Sequence, residues 1–137
     1  MIESAIKGLL TELEFEKACV ERNIQISKPI GIYRYDYIID VKGKLLRIQC
    51  KSASLSEDGS YIEFKTKTTN IRNMSDNYYT KEDIDMFYTT FDNKHYLVPV
   101  EDAGKGSSRL RFTAQQANNP NIRWAKNYEL DHIIENL

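Results

Sequence analysis

The stretch from Leu45 to Ser52 constrains this chain more than any other. Leu46, Ile48 and Cys50 alternate with Arg47, Gln49 and Lys51. That is the period-two pattern of a strand with one face in a core and the other turned toward solvent or a ligand. Lys42-Gly43-Lys44 reads as a turn into it, and Tyr33 to Val41, rich in Tyr and Ile, reads as the strand before the turn. After a second turn at Glu57-Asp58-Gly59, Tyr61 to Lys67 reads as a third strand. The three are expected to form an antiparallel meander.

A helix is predicted over residues 4–22, with Ile6, Leu9, Leu10, Leu13 and Val20 as its core-facing stripe and Ser4 as its N-cap. Asn70 to Tyr79 reads as a polar loop, and Thr80-Lys81-Glu82-Asp83 as a capping box opening a short helical turn. Met86 to Phe91 and His95 to Val100 read as strands joined by a hairpin turn at Asp92-Asn93-Lys94, with Pro99 marking an edge or strand end. A short strand is expected at Leu110 to Phe112, and Asn127 is expected to cap a final helix that ends in Ile133, Ile134 and Leu137. A chain of 137 residues, 41% hydrophobic and 28% charged, suits one soluble domain with one core, here residues 1–137. The element order predicts an α/β (α+β) fold with one mixed sheet.

No apolar run approaches the length of a membrane span, and Met1-Ile2-Glu3-Ser4 lacks the basic and apolar regions of a signal peptide. Cys19 and Cys50 are far apart and lack metal-site spacing, which predicts reduced thiols in a cytoplasmic protein. His95 and His132 are isolated, so a zinc site is not expected. The formal net charge is −1, but its distribution is uneven. Between Ala103 and Tyr128 there is no acid, while Lys105, Arg109, Arg111, Arg123 and Lys126 are basic. Phe64 to Asn73 is likewise basic and acid-free. Two such segments can make a basic groove on a neutral chain.

The residues that carry chemistry lie on the first two predicted strands. Asp36 is followed, after twelve residues, by Gln49-Cys50-Lys51. Mg²⁺ takes oxygen ligands and usually one or two protein carboxylates. Asp36 offers a carboxylate, Gln49 an amide oxygen and Cys50 a backbone carbonyl. Lys51 shares a strand face with Gln49, where an ammonium can act on an attacking water or on charge growing at a phosphate.

This pattern, preceded by Gly8-x-x-x-Glu12 on the helix, resembles the PD-(D/E)XK nuclease superfamily, and within it the group I intron homing endonucleases of cyanobacterial type. The resembling stretches also include Asp83 to Phe87, Tyr96 to Pro99, Trp124-Ala125 and Tyr128 to Leu130. The resemblance implies a restriction-endonuclease-like core: a central mixed β-sheet flanked by helices. It implies Asp36 as metal ligand, Lys51 as catalytic lysine and Glu12 as the helix-borne acid, with Glu16 and then Asp40 as alternatives. Gln49 stands where most of the superfamily carries Glu or Asp. The activity implied is Mg²⁺-dependent, sequence-specific hydrolysis of double-stranded DNA by a homo-oligomer, dimer or tetramer, with Mn²⁺ as a substitute. A Holliday-junction resolvase, a restriction-type nuclease and a catalytically inactive DNA-binding module on the same fold are the alternatives.

For DNA contacts, Lys65, Lys67, Thr68, Thr69, Asn70, Arg72 and Asn73 form a base-reading candidate, since Arg and Lys suit guanine and Asn suits adenine. Arg109, Arg111, Arg123 and Lys126 suit phosphate. Gln115, Gln116, Asn118, Asn119 and Asn121 make a second possible reading loop.

Overall fold

In a computed structural model, residues 3–70, 75–113 and 121–137 are described. Helix α1 (Ser4–Glu21) leads into β1 (Gln25–Ser27), β2 (Tyr37–Val41), β3 (Lys44–Cys50), β4 (Ser54–Leu55), β5 (Tyr61–Lys65), β6 (Lys67–Asn70) and β7 (Ser75–Tyr78). Then come β8 (Met86–Phe91), β9 (Lys94–Pro99), β10 (Ser107–Arg111), a short 3-10 helix (Ala125–Tyr128) and α2 (Leu130–Glu135).

The central sheet runs β1-β2-β3-β8-β9. Two tight hairpins fix its registers. Lys42 and Gly43 have φ of 54° and 80°, and Asp92 and Asn93 have φ of 52° and 61°. Two successive positive φ values are what a two-residue hairpin needs to match strand twist. The first turn sets Tyr37 opposite Ile48, and the second sets Tyr88 opposite Leu97. Between the hairpins, β3 pairs with β8 in parallel, Ile48 beside Met86. Asp85 locks that pairing: its N–H donates to the Arg47 carbonyl at 2.9 Å, and its carboxylate accepts from the Arg47 N–H at 2.8 Å.

One face of the sheet presents Tyr37, Ile39, Ile48, Cys50, Met86, Tyr88 and Leu97, which pack with Phe15, Ala18 and Cys19 of α1. The other face presents Phe87, Tyr96 and Val98 to Ile62, Phe64 and Leu110 of a second sheet, ordered β10-β5-β4. A helix on one side and a small sheet on the other make a mixed α+β architecture around a central mixed sheet, as expected.

Several local expectations are corrected. The three predicted strands do not form a meander: β3 turns to β8, and β5 crosses to the second sheet. Strand alternation identifies a buried face without identifying the neighbour. Residues 33–36 precede β2 instead of belonging to it. Within the predicted polar loop, β7 pairs with β6 as a two-stranded hairpin. Thr80 to Asp83 is a turn, not a helix, and half of the capping-box bonding holds: the Thr80 N–H donates to Asp83 Oδ2 at 3.0 Å, while the Thr80 hydroxyl accepts from the Glu82 N–H at 3.3 Å. Glu3 is the N-cap of α1, without a side-chain cap bond, and Ser4 is its first helical residue. Asn127 lies inside the 3-10 helix, and Glu129 precedes α2.

The largest correction concerns α1. Its buried residues are Thr11, Phe15, Ala18 and Cys19. The stripe predicted to face the core is open: Ile6, Leu9, Leu10 and Leu13 are 46–54% exposed and Val20 71%. Phe15 supplies what the stripe was expected to supply. It is fully buried against Tyr37 and Tyr88, with ring centroids at 5.5 and 4.4 Å.

Candidate active site

Asp36 sits at the entry to β2. Its N–H donates to the Ile48 carbonyl at 2.8 Å, and its Oδ2 accepts from the Cys50 N–H at 3.0 Å. The backbone of β3 thus holds the carboxylate in place. An extended residue points its N–H and C=O the same way, so the Cys50 carbonyl faces the Asp36 side. The next residue turns toward β8, where the Lys51 N–H donates to the Tyr88 carbonyl at 2.9 Å. Burial raises the Asp36 pKa, and the Cys50 N–H and Lys51 ammonium only partly oppose that rise.

Gln49 reaches the same spot. One terminus of its side-chain amide lies 3.2 Å from Asp36 Oδ2 and 2.6 Å from the Arg34 carbonyl oxygen. With nitrogen at that terminus, both contacts are hydrogen bonds. With oxygen there, three oxygens converge, which is the donor set a hard cation takes. The residues present can therefore satisfy one another through the amide nitrogen or offer oxygens to a cation.

Glu12 projects from α1 toward this cluster. Its pKa is raised first by burial and then by the Asp36 carboxylate. Glu16, one turn on, is otherwise engaged: it accepts from the Tyr37 hydroxyl at 2.5 Å and pairs with Lys28 at 3.4 Å, and its pKa is lowered mainly by the tyrosine bond. Asp40 is exposed near the far end of β2, opposite Leu45. Two carboxylates held above their ordinary pKa by burial, Glu12 also by the Asp36 charge, with an amide oxygen and a backbone carbonyl in reach, suit a divalent cation on oxygen ligands. Among the described residues, no group of three or more His, Cys, Asp or Glu side chains is arranged to hold a metal. Gln49 in an acidic position accounts for that.

Lys51 is half-buried at the rim, and its pKa is lowered chiefly by burial, with Arg34 and Lys65 adding to the effect and Asp36 opposing it. It opens onto a groove of about 330 Å³ lined by Lys7, Lys51, Ser52, Ser54, Glu63, Lys65 and Lys67. Lys67 pairs with Asp76 at 3.1 Å. A second, larger groove shares Ser54 and Glu63 with the first and carries Arg109 and Arg111. Both arginines lie over the Tyr61 ring, 4.5 and 5.0 Å from its centroid, and Arg109 pairs with Glu63 at 2.7 Å. Cationic side chains thus run from Lys51 across β5 to β10, with Glu57, Asp58 and Glu63 beside them in the second groove.

The other sequence candidates lie elsewhere. Lys126 lines a separate groove with Lys94, Tyr96 and Trp124. Arg123 donates to the Asp102 carbonyl at 2.6 Å. Thr69 and Asn70 are on β6, opposite Asp76 and Ser75. Arg72, Asn73, Gln115, Gln116, Asn118 and Asn119 lie outside the described residues. His95 bonds the Tyr88 hydroxyl at 2.7 Å, a structural contact.

Sequence reasoning missed Lys7, Arg34 and the placement of Tyr79. Lys7 stands beside the Gly8-x-x-x-Glu12 pattern, and Arg34 two residues before Asp36; proximity in sequence was the only available signal.

The profile of the PD-(D/E)XK endonuclease family matches residues 2–131. The chain belongs to that family. This PD-(D/E)XK protein is also similar to a solved structure, that of the bacterial homing endonuclease I-Ssp6803I. The TM-score is 0.76 with 23% sequence identity, over 98% of this chain and 95% of that one. The likeness shows a shared fold. No curated protein matches the chain significantly. Membership makes the chain a nuclease-type hydrolase and implies DNA as its substrate, and the family's general use of divalent metal agrees with the oxygen cluster. Among the described residues, no helix is long and apolar enough to cross a membrane.

Proposed function

We propose that this chain is a Mg²⁺-dependent, sequence-specific endonuclease of double-stranded DNA, of homing type like the solved structure it resembles, with residues 1–137 acting as one nuclease unit. The observation that carries the reading is the convergence of Asp36, the Gln49 amide and the Arg34 carbonyl beside Lys51, at the mouth of a lysine-lined groove.

Asp36, Glu12, the Gln49 amide oxygen and the Cys50 carbonyl would hold the cation, and a bound divalent ion supplies charge neutralisation and a more acidic water. Lys51 aligns the attacking water and donates to the phosphate oxygens as their charge grows. Its burial strengthens those interactions by excluding water. With no cation bound, the Gln49 amide nitrogen keeps the Asp36 carboxylate oriented. Hydrolysis leaves 5′-phosphate and 3′-hydroxyl ends. A Cβ at Gly8 would meet nothing within 4 Å, so the start of α1, with Lys7 in the groove, leaves room for a phosphodiester backbone. Lys65, Lys67, Arg109 and Arg111 line the track for flanking phosphates and bases. Thr69 and Asn70 of β6 serve as reading residues, with Arg72 and Asn73 as further reading candidates, and Arg123 and Lys126 serve more distant phosphates.

One chain has too little surface to read a long site, and the exposed stripe Ile6, Leu9, Leu10 and Leu13 supports a homo-oligomer, a dimer or tetramer, formed through α1. Two free, buried cysteines suit a cytoplasmic location.

The test is cleavage of a randomised duplex library with Mg²⁺ or Mn²⁺, followed by sequencing of the ends. Recurrent cut sites support the reading. No cutting with either ion, together with no cation binding by calorimetry in free and DNA-bound protein, overturns it in favour of a non-catalytic module.

A further inference from the structure

Tyr79, immediately after β7, is half-buried and anchored from the core side. Its ring meets Phe87 of β8 edge-on, with centroids 5.3 Å apart and planes at 83°. Its N–H donates to the Thr66 carbonyl at 3.4 Å. Two cations lie over the same ring. The Arg34 guanidinium carbon is 3.8 Å from the centroid, and the Lys51 ammonium is 4.9 Å from it. Both are within the roughly 6 Å range over which a ring face attracts a cation.

The two cations are held very differently. Arg34 is fixed by direct bonds: Nη1 donates to the Tyr78 carbonyl at 2.7 Å and to Asp83 Oδ2 at 2.8 Å, and Nη2 to the Asn77 carbonyl at 2.9 Å. These partners are the end of β7 and the turn that follows, so the β6–β7 hairpin, Arg34 and Tyr79 form one braced unit. Lys51 Nζ has no such bonds. Among the described residues, no hydrogen bond or ion pair fixes it, and the Tyr79 ring is its specific contact. A four-carbon stem with three rotatable donors samples many positions unless something confines it.

We infer that Tyr79 is a positioning residue for Lys51: the ring face, set by Arg34 and the β6–β7 hairpin, holds the ammonium where the scissile phosphate arrives. The inference rests on the nuclease reading above for the role of Lys51. The ring, not the hydroxyl, carries the effect. Because the hairpin also carries DNA-contact candidates, the same brace ties the reading element to the lysine that acts on the phosphate.

Two variants test this, Tyr79→Phe and Tyr79→Leu, each checked by thermal melting. The first measurement is independent of cleavage. In a ¹³C–¹H spectrum, the Lys51 methylene protons beside Nζ, assigned through Lys51→Arg, should be shifted upfield by the ring current in the native protein and in Tyr79→Phe. They should return to ordinary values in Tyr79→Leu. The second measurement separates binding from chemistry on a cleavable duplex. Tyr79→Leu should lose about 10–100-fold in single-turnover rate, the penalty of a reacting group displaced by about 1 Å. Its duplex affinity without Mg²⁺ should stay within about 3-fold, and Tyr79→Phe should keep most of the rate.

The inference is overturned if the Lys51 protons show no ring-current shift in the native protein, or if Tyr79→Leu cleaves at the native rate. It is also overturned if Tyr79→Leu loses affinity and rate together, or if Tyr79→Phe is as defective as Tyr79→Leu. A native protein that cuts nothing removes the nuclease reading instead, and the placement of Lys51 is then decided by the spectrum alone.

Discussion

The central sheet and the outer β4–β5–β10 sheet both present polar groups to the same groove system, but they hold them in opposite ways. At the central sheet, Asp36 and Lys51 are half-buried, Asp36 held by the Cys50 N–H and Lys51 set against the Tyr79 ring, and both are moved from their ordinary pKa mainly by desolvation. On the outer sheet, Arg109 and Glu63 form a surface pair, half-exposed and easily exchanged for another partner. Exposed pairs are worth little in water, so Arg109 can trade Glu63 for DNA at low cost. On the proposed reading, the groups that perform chemistry are pre-set, and those that recognise DNA are left to rearrange.

Lys51→Ala should separate the two regions most sharply. Cleavage should fall by about 10²–10³-fold, as when a transition-state donor is lost, while duplex affinity changes only a few-fold. Quench-flow and fluorescence titration measure the two. Next, Arg109→Ala should weaken specific binding by roughly 10–100-fold if it reads a base while leaving the rate at saturating DNA unchanged; equal loss across all sequences would make it a phosphate contact.

Asp85→Asn should cost about 1.5–3 kcal/mol by denaturant melting, since it weakens charged hydrogen bonds to Arg47. The Asp85 pKa is lowered: burial pushes it up, but the Arg47 backbone N–H, the Arg47 guanidinium and Lys81 outweigh that. Its contribution is therefore complete above the ordinary aspartate value of about 3.9 and disappears as pH falls through its lower folded value, so the variant should show a flatter acid limb. Asp36→Asn should move the other way. It retains an acceptor for the Cys50 N–H and removes a carboxylate held above its ordinary pKa, so the melting temperature should rise by about 4 °C as cleavage is lost. Lys67→Ala should have the smallest effect, lowering the salt slope of binding by about 0.9.

How much of this was legible beforehand follows the same divide. Local signals gave the extent of α1, both tight hairpins, the alternation of β3 and the segments carrying Asp36, Gln49 and Lys51. The parallel β3–β8 pairing was not legible, because it joins segments separated by residues 51–85 and depends on Asp85 bridging to Arg47. The buried face of α1 was misjudged for a different reason. Leu9, Leu10 and Leu13 make a better apolar stripe than Thr11, Phe15, Ala18 and Cys19, and periodicity cannot distinguish a core from a surface that another molecule would cover. The placement of Tyr79 was not legible, because nothing in the order of residues sets its ring over Lys51.

The parallel register of Ile48 beside Met86 also has a kinetic consequence. During synthesis, β3 has its hairpin partner β2 long before β8 leaves the ribosome, and the intervening residues 51–85 must be made first. Closing so distant a pairing carries an entropic barrier that local hairpins avoid. The β1–β2–β3 unit should therefore assemble early, with its β8 edge open, and joining β8 to it should be the slow step that completes the molecule.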